Sequence, residues 1–343
     1  MLLQITHDTL YRYVPAVETA QHVACMRPRA HATQEVLDHA LHINPAAVHR
    51  REVVDAFGNT RCFFALQTPH EVLQLVALSM VRTRKPTDAQ SSIGWEDVRC
   101  NFEFHAAAAF DSAVEFVFSS RYAPQDTCFQ NYARESFTAE AGLLKACVEL
   151  MQRIHEDFVY ESNSTEVHTT ALQAFEQRKG VCQDFAHIMI ACLRSLGLPA
   201  RYVSGYLLTQ PPPGEVKLIG SDASHAWASV YIPDLPDGER WCDFDPTNNR
   251  WGWHSPGEDY VTVAWGRDFA DVSPLRGVIH GGASHILTVG VTVQRIDENP
   301  APSARAVEGG PMPLPAMQTQ SQGQSRGPDT AEFQTQTQSQ DTI

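Results

Sequence analysis

The sequence predicts an α+β protein in three parts: an all-β N-terminal domain over residues 1–90, an α+β domain over residues 91–298 and a disordered tail over residues 299–343. Three observations carry this. The first part holds only strand-type text. Helical periodicity starts near residue 139 and gives way to strands again at residue 200. After residue 298 apolar residues become sparse.

Along the chain, Leu3, Ile5, Leu10, Tyr11, Tyr13 and Val14 belong to strand-like text. Residues 51–57 and 60–66 flank the step Gly58-Asn59 and read as a hairpin. Residues 73–81 form a further strand. Histidines 7, 22, 31, 39, 42 and 49 are scattered, without the tight repeated spacing of a ligand set, so no metal site is expected. Residues 83–100 are polar and turn-rich and are expected to join the two domains.

Over residues 139–158, Leu143, Leu144, Cys147, Val148, Met151 and Ile154 recur at three- and four-residue steps, which predicts a helix. A second helix is expected over residues 170–178. A third starts at Val181 or Cys182, with Phe185, Ile188, Met189, Cys192 and Leu196 as its buried stripe. Gly197 caps it and Pro199 prevents its continuation. Strands follow at residues 200–208, 225–232, 241–245, 260–265 and 285–296. In the last, Leu287, Val289, Val291 and Val293 alternate with Ile286, Thr288, Gly290 and Thr292, the pattern of a half-buried strand. The Pro-, Gln-, Ser- and Thr-rich tail offers too little apolar surface to offset the entropy of ordering it.

Composition narrows the function. A hydrophobic fraction of 43% is that of an ordinary soluble globular chain. No apolar run reaches the roughly 18 residues of a membrane span. The first residues lack a basic region followed by an apolar one, so no signal peptide, no membrane association and a cytoplasmic location are expected. A net charge of −14 without a basic cluster argues against nucleic acid. Eight cysteines, at 25, 62, 100, 128, 147, 182, 192 and 242, show no CxxC pair and read as reduced thiols. Seven of the eight read as small buried hydrophobes.

The segment Gly180-Val181-Cys182-Gln183-Asp184-Phe185-Ala186-His187 places a cysteine in the first turn of an amphipathic helix. Unpaired N–H groups and the positive dipole end favour a thiolate there and can donate to an oxyanion. Asp184 opposes that thiolate, so an imidazolium is needed nearby. His225 opens the strand His225-Ala226-Trp227-Ala228-Ser229-Val230-Tyr231, and a turn-rich stretch from Pro233 to Gly238 joins it to Trp241-Cys242-Asp243-Phe244-Asp245-Pro246. Hairpin neighbours of this kind bring an acid beside His225, where it fixes the tautomer and stabilises the imidazolium. Spacing alone does not decide, because cysteine, histidine and aspartate in this order also arise by chance.

The local text does more. Residues 180–206, including Leu193-Arg194-Ser195-Leu196-Gly197-Leu198-Pro199-Ala200-Arg201-Tyr202-Val203-Ser204-Gly205-Tyr206, resemble the core motif of the bacterial transglutaminase-like superfamily. His225-Ala226-Trp227 and Phe244-Asp245-Pro246-Thr247-Asn248 do so as well. The stretch from Gly266 to Gly277, and Arg27-Pro28-Arg29 and Phe57-Gly58-Asn59 near the start, resemble the cysteine-protease branch that carries an N-terminal β domain.

The resemblance covers about residues 1–296. It implies a transglutaminase-like, papain-like catalytic domain with Cys182 as nucleophile, His225 as general base and acid and Asp245 as the orienting acid. Phe158 and Tyr160 stand where relatives place an oxyanion-stabilising side chain. Trp227 is expected to wall the substrate site. Asp243 is the weaker alternative to Asp245, and His187, Cys192 and Cys242 read as structural. Arg267 and Asp268 read as bracing. The implied chemistry is acyl transfer through a thioester, with hydrolysis of a peptide or protein substrate favoured. Transfer to an amine, or a catalytically silent peptide-binding module, is the alternative. No cofactor is expected, and no acidic loop of the calcium-binding kind is visible. Relatives of this branch stand beside ATP-grasp ligases, so a functional association with such ligases is an expectation.

Overall fold

The structure, a computed structural model, describes residues 1–86, 90–103, 110–161, 169–209, 224–235, 240–282, 284–296, 320–321 and 332–335. Five strands come first: β1 (Leu2–Ala24), β2 (Gln34–Asn44), β3 (His49–Val54), β4 (Thr60–Leu66) and β5 (His70–Thr83). The middle of the chain holds α1 (Trp95–Phe102), α2 (Thr127–Arg134), α3 (Leu143–Asp157), β6 (Val159–Tyr160), α4 (Ala171–Gln177), β7 (Lys179–Gly180) and α5 (Cys182–Ser195). Then come β8 (Ala200–Leu207), β9 (Ser224–Tyr231), β10 (Trp241–Asp245), β11 (Arg250–Trp253), β12 (Tyr260–Gly266), α6 (Phe269–Val272), β13 (Leu275–Gly281) and β14 (Ser284–Arg295).

β1 is the spine of the N-terminal sheet. Along one edge its first half pairs with β5, from Leu2 opposite Arg82 to Arg12 opposite Val72. Its second half pairs with β4, from Ala20 opposite Leu66 to Ala24 opposite Cys62. β2 extends β5, and β3 and β4 form the expected hairpin, with Val54 opposite Thr60. The other edge of β1 takes β14, from Leu3 opposite Arg295 to Val14 opposite Ser284, and then β13.

That last pairing corrects the domain division. The sequence reading assigns the strand at 285–296 to the second domain, yet β13 and β14 complete the first sheet. Alternation identifies a half-buried strand but not its partner, and β1 is long enough to offer a whole second edge. The segment between β5 and β13 is therefore an insertion in sheet order. Part of the expected linker is also helix: α1 buries Trp95 and Val98 and carries Glu96 and Asp97 in its first turn. Of the tail, only Gln320–Ser321 and Glu332–Thr335 are described, as short strands on β14 and β13. The rest of the disorder expectation lies outside the described residues.

The inserted segment is an α+β unit. Its sheet runs β11-β10-β9-β8-β12, antiparallel throughout. α5 lies in the middle of the core, and of its residues only Ser195 is not buried. A helix covered on every side is expected to be apolar all round, so its polar residues need partners. Arg194 finds them in the carbonyls of Phe116, Ala200 and Arg267 and the hydroxyl of Ser120. Its apolar residues, Phe185, Ile188, Met189, Cys192 and Leu193, are at most 2% exposed. Each fully buried side chain of this size contributes about 1.5–3 kcal/mol. Among the described residues no helix is long and apolar enough to cross a membrane.

One face of this sheet, with Ala226, Ala228 and Val230, joins the core around α5. The other carries Val203, Trp227 and Tyr260. The outer edge of β12 would be an open strand edge, and residues of the N-terminal part close it. The Gln34 amide donates to Thr262 O and accepts from Thr262 N, at 2.7 and 2.8 Å. The Asn59 amide does the same for Trp265 O and N, at 2.8 and 3.0 Å. Arg29 stacks on Trp265 at 3.6 Å and donates to Phe57 O and Asn59 Oδ1. The N-terminal motif residues thus hold the two parts together.

Candidate active site

Cys182 is the first residue of α5, with Val181 as the cap residue in extended conformation. The short parallel pair β6–β7 sets this position, with Tyr160 opposite Gly180. Asp184 Oδ2 accepts the Val181 N–H at 2.9 Å, which occupies the acid on the helix start itself. The chain passes so close there that a Cβ on Gly180 would lie 2.7 Å from Asp184 Cβ, so only glycine fits.

His225 lies at the start of β9, opposite Gly205 on β8. A side chain at Gly205 would come within 2.5 Å of the Trp227 ring, so that glycine leaves room for the indole behind His225. The ring of His225 is hydrogen-bonded to the Cys182 side chain on one side and to Asp245 on the other. Its Nε2 donates to Asp245 Oδ2 at 2.7 Å, which leaves Nδ1 for the thiol. Burial alone would lower the imidazole pKa. The charges of Asp245 and Cys182, with hydrogen bonds to both, outweigh it and push the pKa up to about 10.

Asp245 ends β10 and is fully buried. Its Oδ1 accepts the backbone N–H groups of Thr247 and Asn248, at 3.0 and 3.3 Å. Its Oδ2 accepts from His225, from Asn248 Nδ2 at 2.7 Å and from the Tyr260 hydroxyl at 2.7 Å. Burial would raise its pKa, but the His225 charge and these hydrogen bonds hold it below the ordinary carboxylate value. The structure therefore brings together Cys182, His225 and Asp245. It adds Tyr260 and Asn248, the first of which the sequence reading did not single out. Strand alternation marks Tyr260 as one face of β12 but does not say which strand that face lies beside.

Trp227 is 0% exposed, and its Nε1 donates to Asp243 Oδ2 at 2.8 Å. It backs His225, with their ring centres 6.1 Å apart. Asp243 is committed to that indole and is not the orienting acid. Burial raises its pKa.

His187 is stacked between Tyr122 and Tyr202, and its Nε2 accepts the Phe269 N–H. Cys192 and Cys242 are buried, and burial pushes both thiols up. Asp268 caps α6 and accepts the Tyr122 N–H, while Arg267 pairs with Asp271, so both brace the fold. Phe158 is buried among Tyr132, Phe175 and Phe185 and has no group to donate. A cavity of about 710 Å³ opens on the Arg250 side of β11, between Leu144, Leu208, Trp251 and Lys85. Among the described residues no three His, Cys, Asp or Glu side chains are grouped to hold a metal ion.

Known proteins share this arrangement of parts. Residues 130–246 match the model of the transglutaminase-like superfamily, and residues 3–82 match that of the bacterial transglutaminase-like N-terminal region. An uncharacterised protein of Mycobacterium tuberculosis is 37% identical over 296 residues, covering 84% of this chain and 91% of its own length. A protein-glutamine gamma-glutamyltransferase of Pseudomonas aeruginosa is 32% identical over 102 residues, which is 29% of this chain and 15% of that protein. The crystal structure of a candidate cysteine protease from Cytophaga hutchinsonii superposes with a TM-score of 0.64 at 25% identity, over 88% of this chain and 93% of that one. By both matched regions and by the mycobacterial relative, this chain belongs to the transglutaminase-like superfamily, in the bacterial group that carries the N-terminal β region.

Proposed function

We propose that the protein is a cysteine-dependent acyl-transfer enzyme that hydrolyses amide bonds in a peptide or protein substrate. The observation that carries this reading is the continuous chain of hydrogen bonds from Cys182 through His225 to Asp245. Cys182 Sγ attacks the amide carbon, and the backbone N–H groups at the start of α5 face the developing oxyanion. Tyr160, opposite Gly180 in the β6–β7 pair and carrying a hydroxyl, is the proposed side chain to assist. The imidazolium of His225 gives its proton to the leaving nitrogen, and the C–N bond breaks to leave a thioester. Neutral His225 then takes a proton from water as the water oxygen bonds to the acyl carbon, the C–S bond breaks to return the Cys182 thiolate beside the imidazolium, and the carboxylic acid leaves and ionises. Asp245 keeps the ring oriented and stays ionised throughout.

Support for water as the acceptor comes from the Cytophaga hutchinsonii neighbour, a candidate cysteine protease aligned over nearly its whole length. A second reading, transfer to an amine, draws on the Pseudomonas aeruginosa relative named a glutamyltransferase, which matches over a short stretch. The test is to mix the protein with an amide and peptide library, quench in acid and read intact masses. A hydroxylamine-labile adduct mapped to Cys182 is expected, with carboxylate as the final product. A fluorescent primary amine in the same mixture reports the second reading. Turnover with no adduct on Cys182, or turnover retained in Cys182→Ala, would overturn the nucleophile.

A further inference from the structure

We infer that Tyr260 is a positioning residue of this site, holding the Asp245 carboxylate charged and in place while His225 is neutral. The inference rests on the reading of Cys182, His225 and Asp245 as the reacting set.

The geometry is specific. The Tyr260 hydroxyl donates to Asp245 Oδ2, the same oxygen that takes His225 Nε2. The phenol is 1% exposed and fixed on every side. Trp227 meets it edge to face at 5.4 Å, and His225 lies 5.9 Å away, centre to centre. Arg250 lies over its ring at 4.7 Å and is itself held by two hydrogen bonds to Asp259, at 2.7 and 2.6 Å. Burial and the neighbouring Asp245 charge raise the phenol pKa, so the hydroxyl keeps its proton and can only donate.

This matters at one stage of the cycle. While His225 is an imidazolium, the buried Asp245 has a counter-charge in contact. Once the leaving nitrogen has taken the proton from the other ring nitrogen, Asp245 keeps the Nε2–H of His225 but loses its counter-charge, and it is 0% exposed. A buried charge left without partners is costly. Besides the Nε2–H of His225, its donors are then two backbone N–H groups, the Asn248 amide and Tyr260. Asn248 sits in the exposed turn after β10, whereas Tyr260 is a buried donor on β12, which β8 and β9 separate from β10 in the sheet. By stabilising the state with neutral His225, Tyr260 lowers the proton affinity of the imidazole and keeps it usable as the base for deacylation.

The test uses the full chain with Cys182 blocked by iodoacetamide, a stand-in for the acylated thiol. His225 is titrated by NMR in wild type and in Tyr260→Phe. The phenylalanine variant is expected to titrate higher by roughly half a unit to one unit, because a charge-assisted hydrogen bond to the carboxylate is lost. In an Asp245→Asn background the same change should move nothing, since there is no charge to hold. A site-specific Tyr260→3-fluorotyrosine, a stronger donor of the same shape, should shift His225 downward. It carries the test if Tyr260→Phe does not fold. Identical titrations in all three proteins, or an equal shift in the Asp245→Asn background, would overturn the inference. Failure of Cys182 to be the alkylated thiol in wild type would instead count against the catalytic reading.

Discussion

Trp227 and Asp243 are joined by a 2.8 Å hydrogen bond from the indole N–H, one step along the same sheet face from the His225–Asp245 pair. Asp243 and Asp245 point the same way from β10, yet one serves an indole and the other an imidazole. Only the second can pass a proton on. The first supports the floor under the histidine.

Trp227→Phe should therefore act on stability. It removes the donor to a buried carboxylate and should cost about 1–3 kcal/mol. Urea denaturation measures this. Unchanged stability together with altered substrate selectivity would place Trp227 in the cleft.

Cys182→Ala should abolish turnover and leave the fold intact, as judged by near-UV circular dichroism. His225→Ala should be nearly as severe, and Asp245→Asn milder, because the acid does not react. Residues that act as a unit are strongly non-additive. The double variant Cys182→Ala with His225→Ala should be no worse than the first alone, and a further loss of tenfold or more would refute that grouping.

Limited iodoacetamide labelling with peptide mapping should find Cys182 modified first at neutral pH, despite its burial. Cys100 is exposed and Cys128 half-exposed, so accessibility alone favours them. Labelling in that order would show that His225 does not activate the thiol.

The raised His225 pKa has a stability consequence with a definite sign. The folded value is about 10 against an ordinary 6.5, so the folded state holds this proton more tightly. The resulting stabilisation is complete below about pH 6.5 and is lost as pH rises through about 10. The stability difference between wild type and His225→Gln should therefore shrink over that window. A difference that grows with pH would reverse the assignment.

Truncation separates the tail from the strand before it. Ending the chain after Asn299 should change the melting temperature by no more than a degree or two. Ending it before β14 removes the ladder on one edge of the first half of β1 and should abolish cooperative unfolding. A large drop with the shorter deletion would show that the tail supports the body.

Much of the site was legible because it rests on local signals. Cys182 follows a Gly-Val step and opens a periodic helix, and the 225–232 and 241–245 strands are hairpin neighbours, Phe244 opposite Ala228. Tyr260 was hidden, because its bond to Asp245 depends on sheet order across β8 and β9, and strand text carries no order. The partner of Trp227 was hidden for a related reason, because alternation does not show that its indole meets Asp243. The strand at 285–296 was placed with the second domain because pairing between distant segments leaves no mark on local periodicity.

That pairing also governs how the molecule comes into being. On the ribosome, β1 emerges ahead of everything from β2 to β13, so one edge of it must wait for β14 to be made. The segment with Cys182, His225 and Asp245 is made in that interval, between the two strands that pair. Synthesis at about 5–20 residues per second makes the wait ten seconds or more. During it a long strand edge stands open to aggregation or to a chaperone, and the N-terminal sheet is completed only after the cysteine, histidine and aspartate have been synthesised.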